Sequence, residues 1–413
     1  MPRTRSSTNC SKLSCSKRPV ASVGDSMGEG YGPRLGQTVP MRIVLVVPGG
    51  VDPPGSERVI PFIHGLVADL SSRHDVLVIA VGHDPEPATW PLFDGTVVNV
   101  PVGQHSKADV ARVVRSVSRI AGQDGRPDVV HGLWANLPGL AASMAAHRHR
   151  RPSVVSVCGG EFASLADIGY GGGLSRGTLL MARMSTRTAS AVTVATTWMR
   201  QHVTEHGGRV DEIIPLGADT SIFEASVVPT TAGRLVHVGN LNRVKDQEML
   251  LHAFRLVLDT RPAVTLDIAG LDTLDGRLQT LATDLGLDDS VRFHGYLSPH
   301  DLASMLDDAT LHVLSSRHDA GPVAVLEAAA CGVPTVGTPV GHVADFAAMA
   351  DPAAMAVDGH QPDSMAQGIL ALLSDEPRRL ALARRAQEWA ATHDSSHTAN
   401  SFEALYRRLT ASR

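Results

Sequence analysis

Two carboxylates, Asp319 and Glu327, are separated by seven residues in the run SSRHDAGPVAVLEAAACGVPTV. A small-residue turn, Ala320-Gly321-Pro322, separates Asp319 from the apolar helical start Val323-Ala324-Val325-Leu326. A strand at 310–314 precedes the run. Asp319 should therefore lie on a strand-to-helix loop, and Glu327 about one turn inside the helix that follows. Unpaired N–H groups and the helix dipole at that start favour an anion. A phosphate there would leave one acid free to bond sugar hydroxyls and the other ribose hydroxyls, as a nucleotide sugar requires. Glu327 is flanked by Leu326, Ala328, Ala329 and Ala330. A carboxylate in so apolar a helix needs a partner rather than bulk water.

A second cluster fits the same ligand. Gly239-Asn240-Leu241-Asn242-Arg243-Val244-Lys245-Asp246 follows a strand and opens a helix. Helix starts ordinarily carry acids, as Asp246 does, so the cations Arg243 and Lys245 run against that preference and suit a diphosphate. Pro48-Gly49-Gly50 follows the first strand of the chain and gives a backbone that a ligand can approach closely; by itself it reads as a tight strand–helix turn. His131 and Cys158 each end a strand of the first half, where either a structural or an acceptor-side role is open. Gly159-Gly160-Glu161 adds backbone access and a carboxylate beside them.

These residues need a scaffold that brings strand ends together. The chain has 413 residues, 43% hydrophobic and 19% charged, which is enough for two or more packed domains. Short Val/Ile-rich runs alternate with amphipathic stretches from Met41 onward. Strands are expected at 42–47, 75–80, 97–100, 128–131, 153–157, 191–195 and 212–215, with helices near 57–72, 108–122, between the fourth and fifth strands, and at 197–206. The alternation restarts with strands at 234–238, 264–269, 291–294, 310–314 and 335–337. Helices at 246–258, 274–285, 299–306 and 321–331 separate them, and helices fill most of 362–409. Unbroken apolar strands imply parallel sheets covered on both faces. The fold class is α/β, with two Rossmann-like doubly wound domains at 41–215 and 232–394, a linker at 216–231, and a C-terminal helix at 395–413 packing back on the first domain. Ligands bind beyond the carboxyl ends of such strands, hence in the cleft between the halves.

Composition removes other classes. The net charge of −5 gives no bulk attraction to nucleic acid. The four cysteines (Cys10, Cys15, Cys158, Cys331) form no CxxC pair, and no HExxH run occurs, so no metal site is expected and a reducing compartment fits. No GxGxxG fingerprint and no GxxxxGK[ST] loop occurs, which argues against a dehydrogenase and a P-loop ATPase. No apolar run is long enough to span a bilayer. Residues 1–40 are basic and Ser/Gly-rich, a disordered tail or a start-site extension ahead of Met41.

The runs VVPGG, DVVHGLW, SVCGGEF, IPLGADTSIF, VGNLNRVKDQEMLLHAF, VRFHGYLS and HDAGPVAVLEAAACGVPTVGTPVG, in this order, resemble the family-4 retaining glycosyltransferases of GT-B architecture. The resemblance covers nearly the whole chain from Met41. It implies a donor-holding acid pair, Asp319 on the sugar and Glu327 on the ribose. Lys245 matches the family's diphosphate-binding lysine. The family's arginine after the glycine is Asn240 here, which leaves Arg243 to supply the second charge. The glycine loop maps to Gly49 and Gly50, the base to backbone at Gly295-Tyr296-Leu297, and the phosphates to Gly239 and residues Ala320 to Val323. Two departures stand out: Asp319 is one methylene shorter than the family's glutamate, and Cys158 replaces the family's active-site histidine.

The resemblance further implies transfer of a sugar, with retention, from a nucleotide-diphosphate sugar to a hydroxyl of a glycan, lipid or small metabolite. Neither cofactor nor metal is implied, since cations serve the diphosphate, and the carboxylates bind rather than form the acid/nucleophile pair of a glycosidase. The expected setting is cytoplasmic, with peripheral contact at the inner membrane face allowed. A nucleotide-sugar 2-epimerase and a non-catalytic nucleotide-sugar-binding protein stay open beside it.

Overall fold

The computed structural model describes residues 39–103, 106–225 and 233–411. Nearly all of the expected basic tail and the 226–231 part of the expected linker lie outside them.

The first half contains strands β1 (Arg42–Val47), β2 (Asp75–Val81), β3 (Thr89–Leu92), β4 (Gly95–Val100), β5 (Val129–Leu133), β6 (Ser153–Val157), β7 (Ala191–Val194) and β8 (Glu212–Ile213). Its helices are α1 (Pro61–Ser71), α2 (Lys107–Ala121), α3 (Leu137–His149), α4 (Arg176–Thr188) and α5 (Thr197–Glu205). The second half holds β9 (Arg234–Val238), β10 (Thr265–Ala269), β11 (Val291–Gly295), β12 (Leu311–Leu314), β13 (Thr335–Gly337) and β14 (Ala354–Ala356). Its helices are α6 (Gln247–Thr260), α7 (Arg277–Asp284), α8 (Pro299–Asp307), α9 (Val323–Ala330), α10 (Gly341–Ala347), α11 (Pro362–Ser374) and α12 (Glu376–Thr392), and α13 (Ser395–Ala411) ends the described chain.

Each half is a doubly wound sheet. The first runs β3-β4-β2-β1-β5-β6-β7-β8 and the second β11-β10-β9-β12-β13-β14. All pairings are parallel except β3 with β4. The strand order reverses between β1 and β5 in one sheet and between β9 and β12 in the other. At such a reversal the following connections leave in opposite directions, so a crevice opens beyond the strand ends. Gly49-Gly50 lies after β1, and the cation loop and the Asp319 loop lie after β9 and β12. The two loops on which the sequence puts its chemistry are thus neighbours because their strands pair, Leu311 with Leu235 and His312 with Val236.

The halves are stitched by two adjacent crossings. The Ser395 N–H donates to the Ala218 carbonyl at 2.9 Å, and the Thr398 hydroxyl to the Pro215 carbonyl at 2.9 Å. Gly217 passes so close to Asp394 that a Cβ would sit 2.0 Å from the Asp394 carbonyl carbon, so only glycine fits. Beyond this point α13 packs on α1, and Phe402, Leu405 and Tyr406 join the core of the first sheet. Arg73 pairs with Glu403 at 2.6 Å and Arg408 with Glu212 at 2.6 Å along the same contact.

Several elements differ from the sequence expectations. The antiparallel edge strand β3, the helices α4 and α10 and the strand β14 were not expected. β3 is four residues with Pro91 inside, and proline removes a ladder donor, which suits only an edge. α4 buries only Ala182, Ser185 and Thr186, so no apolar run marks it in the sequence. α1 begins at Pro61 rather than near 57, where proline's fixed φ suits the first turn. α9 begins at Val323, two residues after Gly321.

Candidate active site

The base of the cleft is built from the second half upward. Buried His237 on β9 accepts or donates at both ring nitrogens, to the Val313 carbonyl at 2.9 Å and to the Gln247 side-chain amide at 3.1 Å. Burial drives its pKa down to about 4, so it is a neutral brace between β9, β12 and α6. On that brace the Lys245 loop and the β12–α9 loop are tied twice: the Ser315 hydroxyl donates to the Lys245 carbonyl at 2.7 Å, and the Arg317 N–H to the Val244 carbonyl at 2.8 Å.

These ties set the Lys245 ammonium on the Asp319 carboxylate at 2.5 Å, a half-buried ion pair across 74 positions. The start of α9 lies beside it. Its N-cap residue is Pro322, with no side-chain cap and no acid in its first turn, whereas α6 is capped by Asp246. An uncapped helix start leaves N–H groups for an anion. Glu327, 6% exposed in the next turn, has no hydrogen bond or ion pair from its carboxylate among the described residues. Burial alone pushes its pKa up to about 7. A carboxylate held without a partner in such a place is a group waiting for donors.

Other sequence candidates take different places. Asn240 turns its side-chain oxygen to the Leu271 N–H at 3.2 Å, tying the β9 loop to the β10 loop. Arg243 is exposed and lines a cavity of about 250 Å³ with Asp167, Ile168, Asp246, Leu274 and Arg277; Lys245 is not in that wall. Gly239 directly follows β9, and Gly295, Tyr296 and Leu297 close and follow β11, with the Gly295 carbonyl accepting from the Gly270 N–H at 2.8 Å. Gly50 has φ 72°, and a Cβ there would lie 2.3 Å from Ile60, so the glycine loop closes tightly over the start of α1. Gly49 abuts His83, which pairs with Asp52 at 2.6 Å.

The acceptor-side candidates divide. His131 is fully buried on β5, bonded to the Tyr406 hydroxyl at 2.6 Å and the Ser156 hydroxyl at 2.8 Å, with its pKa lowered to about 3 by burial. It pins α13 to the sheet and does not face the cleft, which corrects its place among the acceptor contacts. Glu161 is buried too, and its carboxylate accepts from the N–H groups of Ala135 (2.9 Å), Cys158 (3.2 Å) and Gly159 (2.7 Å). Burial raises its pKa while these amides oppose the rise; the acid organises its loop rather than reaching a substrate. Cys158 is half-buried, with burial and the Glu161 charge raising its thiol pKa, so it is a neutral thiol. Gly159 and Gly160 are half-buried: His318 donates to the Gly159 carbonyl at 3.3 Å, and the Tyr170 ring lies against Gly160.

Several contacts across the cleft had no counterpart in the sequence reading. Arg317 grips Asp167 through two bonds of 2.5 and 3.1 Å. The Thr196 hydroxyl donates to the Ala320 carbonyl at 2.9 Å. Asp345 of α10 caps the N-terminus of α5 from the opposite half, accepting from Thr197 at 2.7 Å and Trp198 at 2.9 Å. The basic pair Arg317-His318 directly before Asp319 was the one available signal. The Arg317–Asp167 bonds hold the first-half loop 158–170 against the donor loop, and the Thr196 and Asp345 bonds hold the start of α5 against the second half.

Comparison with known proteins agrees with this architecture. The sequence family described as "Glycosyl transferase 4-like domain" matches residues 59–217, and "Glycosyl transferases group 1" matches residues 219–389. The D-inositol 3-phosphate glycosyltransferase of Nocardiopsis dassonvillei is 26% identical over 417 residues, covering 91% of this chain and 96% of that protein. The enzyme of the same name from Corynebacterium urealyticum is 30% identical over 224 residues, and the one from Corynebacterium jeikeium 29% over 217. The chain spans about half the length of these two, 52% and 51%. Among solved structures, sucrose-phosphate synthase from Thermosynechococcus elongatus superposes with a TM-score of 0.75 at 16% identity, over 90% of this chain and all (100%) of that one. Anabaena HepE in complex with UDP-glucose gives 0.67 at 19% identity, over 89% and 100%. At such identities the structural likeness carries the fold, and the sequence matches carry the family. Two Rossmann-like halves, an acid pair with seven residues between its members and a lysine loop at the second switch point converge with those matches: the chain belongs to the group 1, family-4-type nucleotide-sugar glycosyltransferases of GT-B fold.

Proposed function

We propose that this enzyme transfers a hexosyl or related sugar from a nucleotide-diphosphate donor to an acceptor hydroxyl with retention and without a metal ion. The observation that carries the reading is the Lys245–Asp319 pair beside an uncapped helix start and the partnerless Glu327. The diphosphate would take the N–H groups at the start of α9 and draw the Lys245 ammonium away from Asp319. Asp319 is then free to accept from sugar hydroxyls, and Glu327 gains the ribose hydroxyls it lacks. As the glycosidic C–O bond breaks, negative charge grows on the leaving phosphate, where Lys245 and the helix start stabilise it. The acceptor hydroxyl attacks from the same face and its proton passes to that phosphate, so no enzyme nucleophile is needed.

Cations aimed at the diphosphate supply the charge that a metal would otherwise bring, which supports metal independence. The relatives' names make an inositol phosphate the first acceptor to try. The neutral thiol of Cys158 beside Gly159 favours one second reading: a protein that binds donor and turns over slowly, because a thiol of raised pKa offers no cation to a sugar hydroxyl. A transfer assay with UDP-, GDP-, ADP- and TDP-sugars against inositol phosphates and simple glycosides, run in EDTA, separates the readings. Product of retained anomeric configuration supports transfer. Donor binding without product or donor hydrolysis supports the second reading, and no stabilisation by any donor rejects both.

A further inference from the structure

Three imidazoles meet across the cleft and have no part in the chemistry above. Trp198, His202 and His206 are spaced by four, so they share one face of α5 and its C-cap. His202 stacks flat on Trp198, with ring centroids 5.5 Å apart and planes at 6°, and lies 4.5 Å from His206. His318 meets this face from the other half. It is 5% exposed, with ring centroids 5.1 Å from His202, 5.2 Å from Trp198 and 5.9 Å from Tyr170. Among the described residues no group of three His, Cys, Asp or Glu side chains is arranged to hold a metal ion, so the cluster is not a metal site.

The hydrogen bond in this cluster also crosses the cleft. His318 Nε2–H donates to the Gly159 carbonyl at 3.3 Å, and the next residue in the chain is Asp319. One side chain thus ties the acid assigned to the sugar to the loop 158–170. With Nε2 donating, a further proton would have to enter at Nδ1 and make the ring a cation. Facing the ring are His202 and His206 on α5, with Glu205 beside them, Tyr170 on the loop, and Lys245 and Asp319 on its own half. Glu205 is bonded to Gln201 and Asp319 to Lys245, so both acids are already engaged. Burial lowers the pKa of His318, and burial together with the charges of His318 and His206 lowers that of His202 to about 4. In parted halves the same rings would meet water and titrate near 6.5. The closed cleft is therefore fully favoured above pH 6.5, and that preference is lost as pH falls from there towards about 4.

We propose that His318 is a positioning residue for transfer, a neutral latch that holds the Asp319 loop on the acceptor-side loop, and that acid releases it. The effect on turnover rests on the transferase reading above; the latch itself does not.

The test is amide hydrogen exchange of the full chain at pH 7.5 and pH 5, read as protection factors for residues 159–170 and the start of α5, with β1 as the internal reference. Parent protein should lose protection there by at least about tenfold at pH 5 while β1 keeps its own. His318→Leu keeps the bulk and removes the donor, and should lose about fivefold at pH 7.5. His318→Gln keeps an N–H donor without the titration and should match the parent at pH 7.5. With His202→Gln added, it should lose most of the fall at pH 5. The glutamine variants carry the test should leucine misfold by circular dichroism. At saturating donor, where the effect of Glu327 on affinity does not enter, kcat of His318→Leu should fall about fivefold and that of His318→Gln should recover. Equal protection of the parent at both pH values, parent-like protection in His318→Leu, or parent-like acid sensitivity in the double glutamine variant would overturn the proposal. A parent that turns over no donor would reject the transferase reading, and the exchange data would still decide the latch.

Discussion

Glu327→Gln should make the empty protein more stable at neutral and alkaline pH while making it a worse donor binder. The carboxyl is 6% exposed, partnerless, and shifted from 4.5 to about 7 by burial. The native state therefore binds this proton more tightly than the unfolded chain. Its contribution is fully present below pH 4.5 and is lost as pH rises from there through about 7. A gap of that size corresponds to on the order of 3 kcal/mol between the two ends of the window. Glutamine keeps the volume and removes the charge, so the variant should lose Glu327's contribution to the pH slope across the window and exceed the parent's stability at pH 8. Donor reverses the order. Hydroxyls that donate to an ionised Glu327 form charge-assisted bonds, and their loss should raise the Kd for a nucleotide sugar roughly ten- to a hundredfold. Parent affinity should also tighten as pH rises toward about 7, because binding takes the ionised form. Thermal denaturation of both proteins from pH 4 to pH 8, with and without a donor, is the assay. A variant less stable than the parent at pH 8, or one that keeps the parent's pH slope, would refute the account of Glu327 as a buried acid awaiting a ligand.

Four further outcomes follow from the same geometry. Lys245→Ala should weaken donor binding by about 1–3 kcal/mol, measured by calorimetry, because it removes a charge-assisted contact to phosphate. Asp319→Glu should reorder kcat/KM among sugars on one nucleotide while leaving the Kd of the free nucleotide unchanged; an unaltered ranking would remove Asp319 from the sugar site. Asp345→Ala strips the cap that crosses the cleft and should cost about 1 kcal/mol of closed state, seen as a roughly fivefold fall in kcat/KM with donor affinity in the ground state little changed. Tyr406→Phe leaves the His131 ring short of a partner and should cost about 1–3 kcal/mol of stability with no effect on donor Kd, since the pair sits in the core and not in the cleft.

The sequence by itself determined the alternation of strands and helices, the parallel sheets and the reach of each half. Those follow from periods of two and 3.6 and from runs of Val and Ile such as 42–47 and 75–81, which are local. It also determined that Asp319 and Glu327 lie on one strand–helix junction, since seven residues of loop and helix leave little freedom. What a residue meets across the fold is a different matter. Lys245 finds Asp319 because β9 and β12 pair at the switch point, and Arg243, two residues away, turns to another wall. His131 reads like a strand-end ligand until Tyr406, 275 positions later, arrives on α13 to bond it. Glu161 reads like a free acid until the fold brings it the Ala135 N–H. Asp345 gives no sequence signal as a cap, because the helix it caps belongs to the other half. Short edge elements such as β3 and β14 gain their strand character from the neighbour they pair with, not from their own residues. Periodicity is a property of a segment, whereas the partner of a charge is a property of sheet order and of the two crossings that fold the halves together. Only the tertiary structure carries that information.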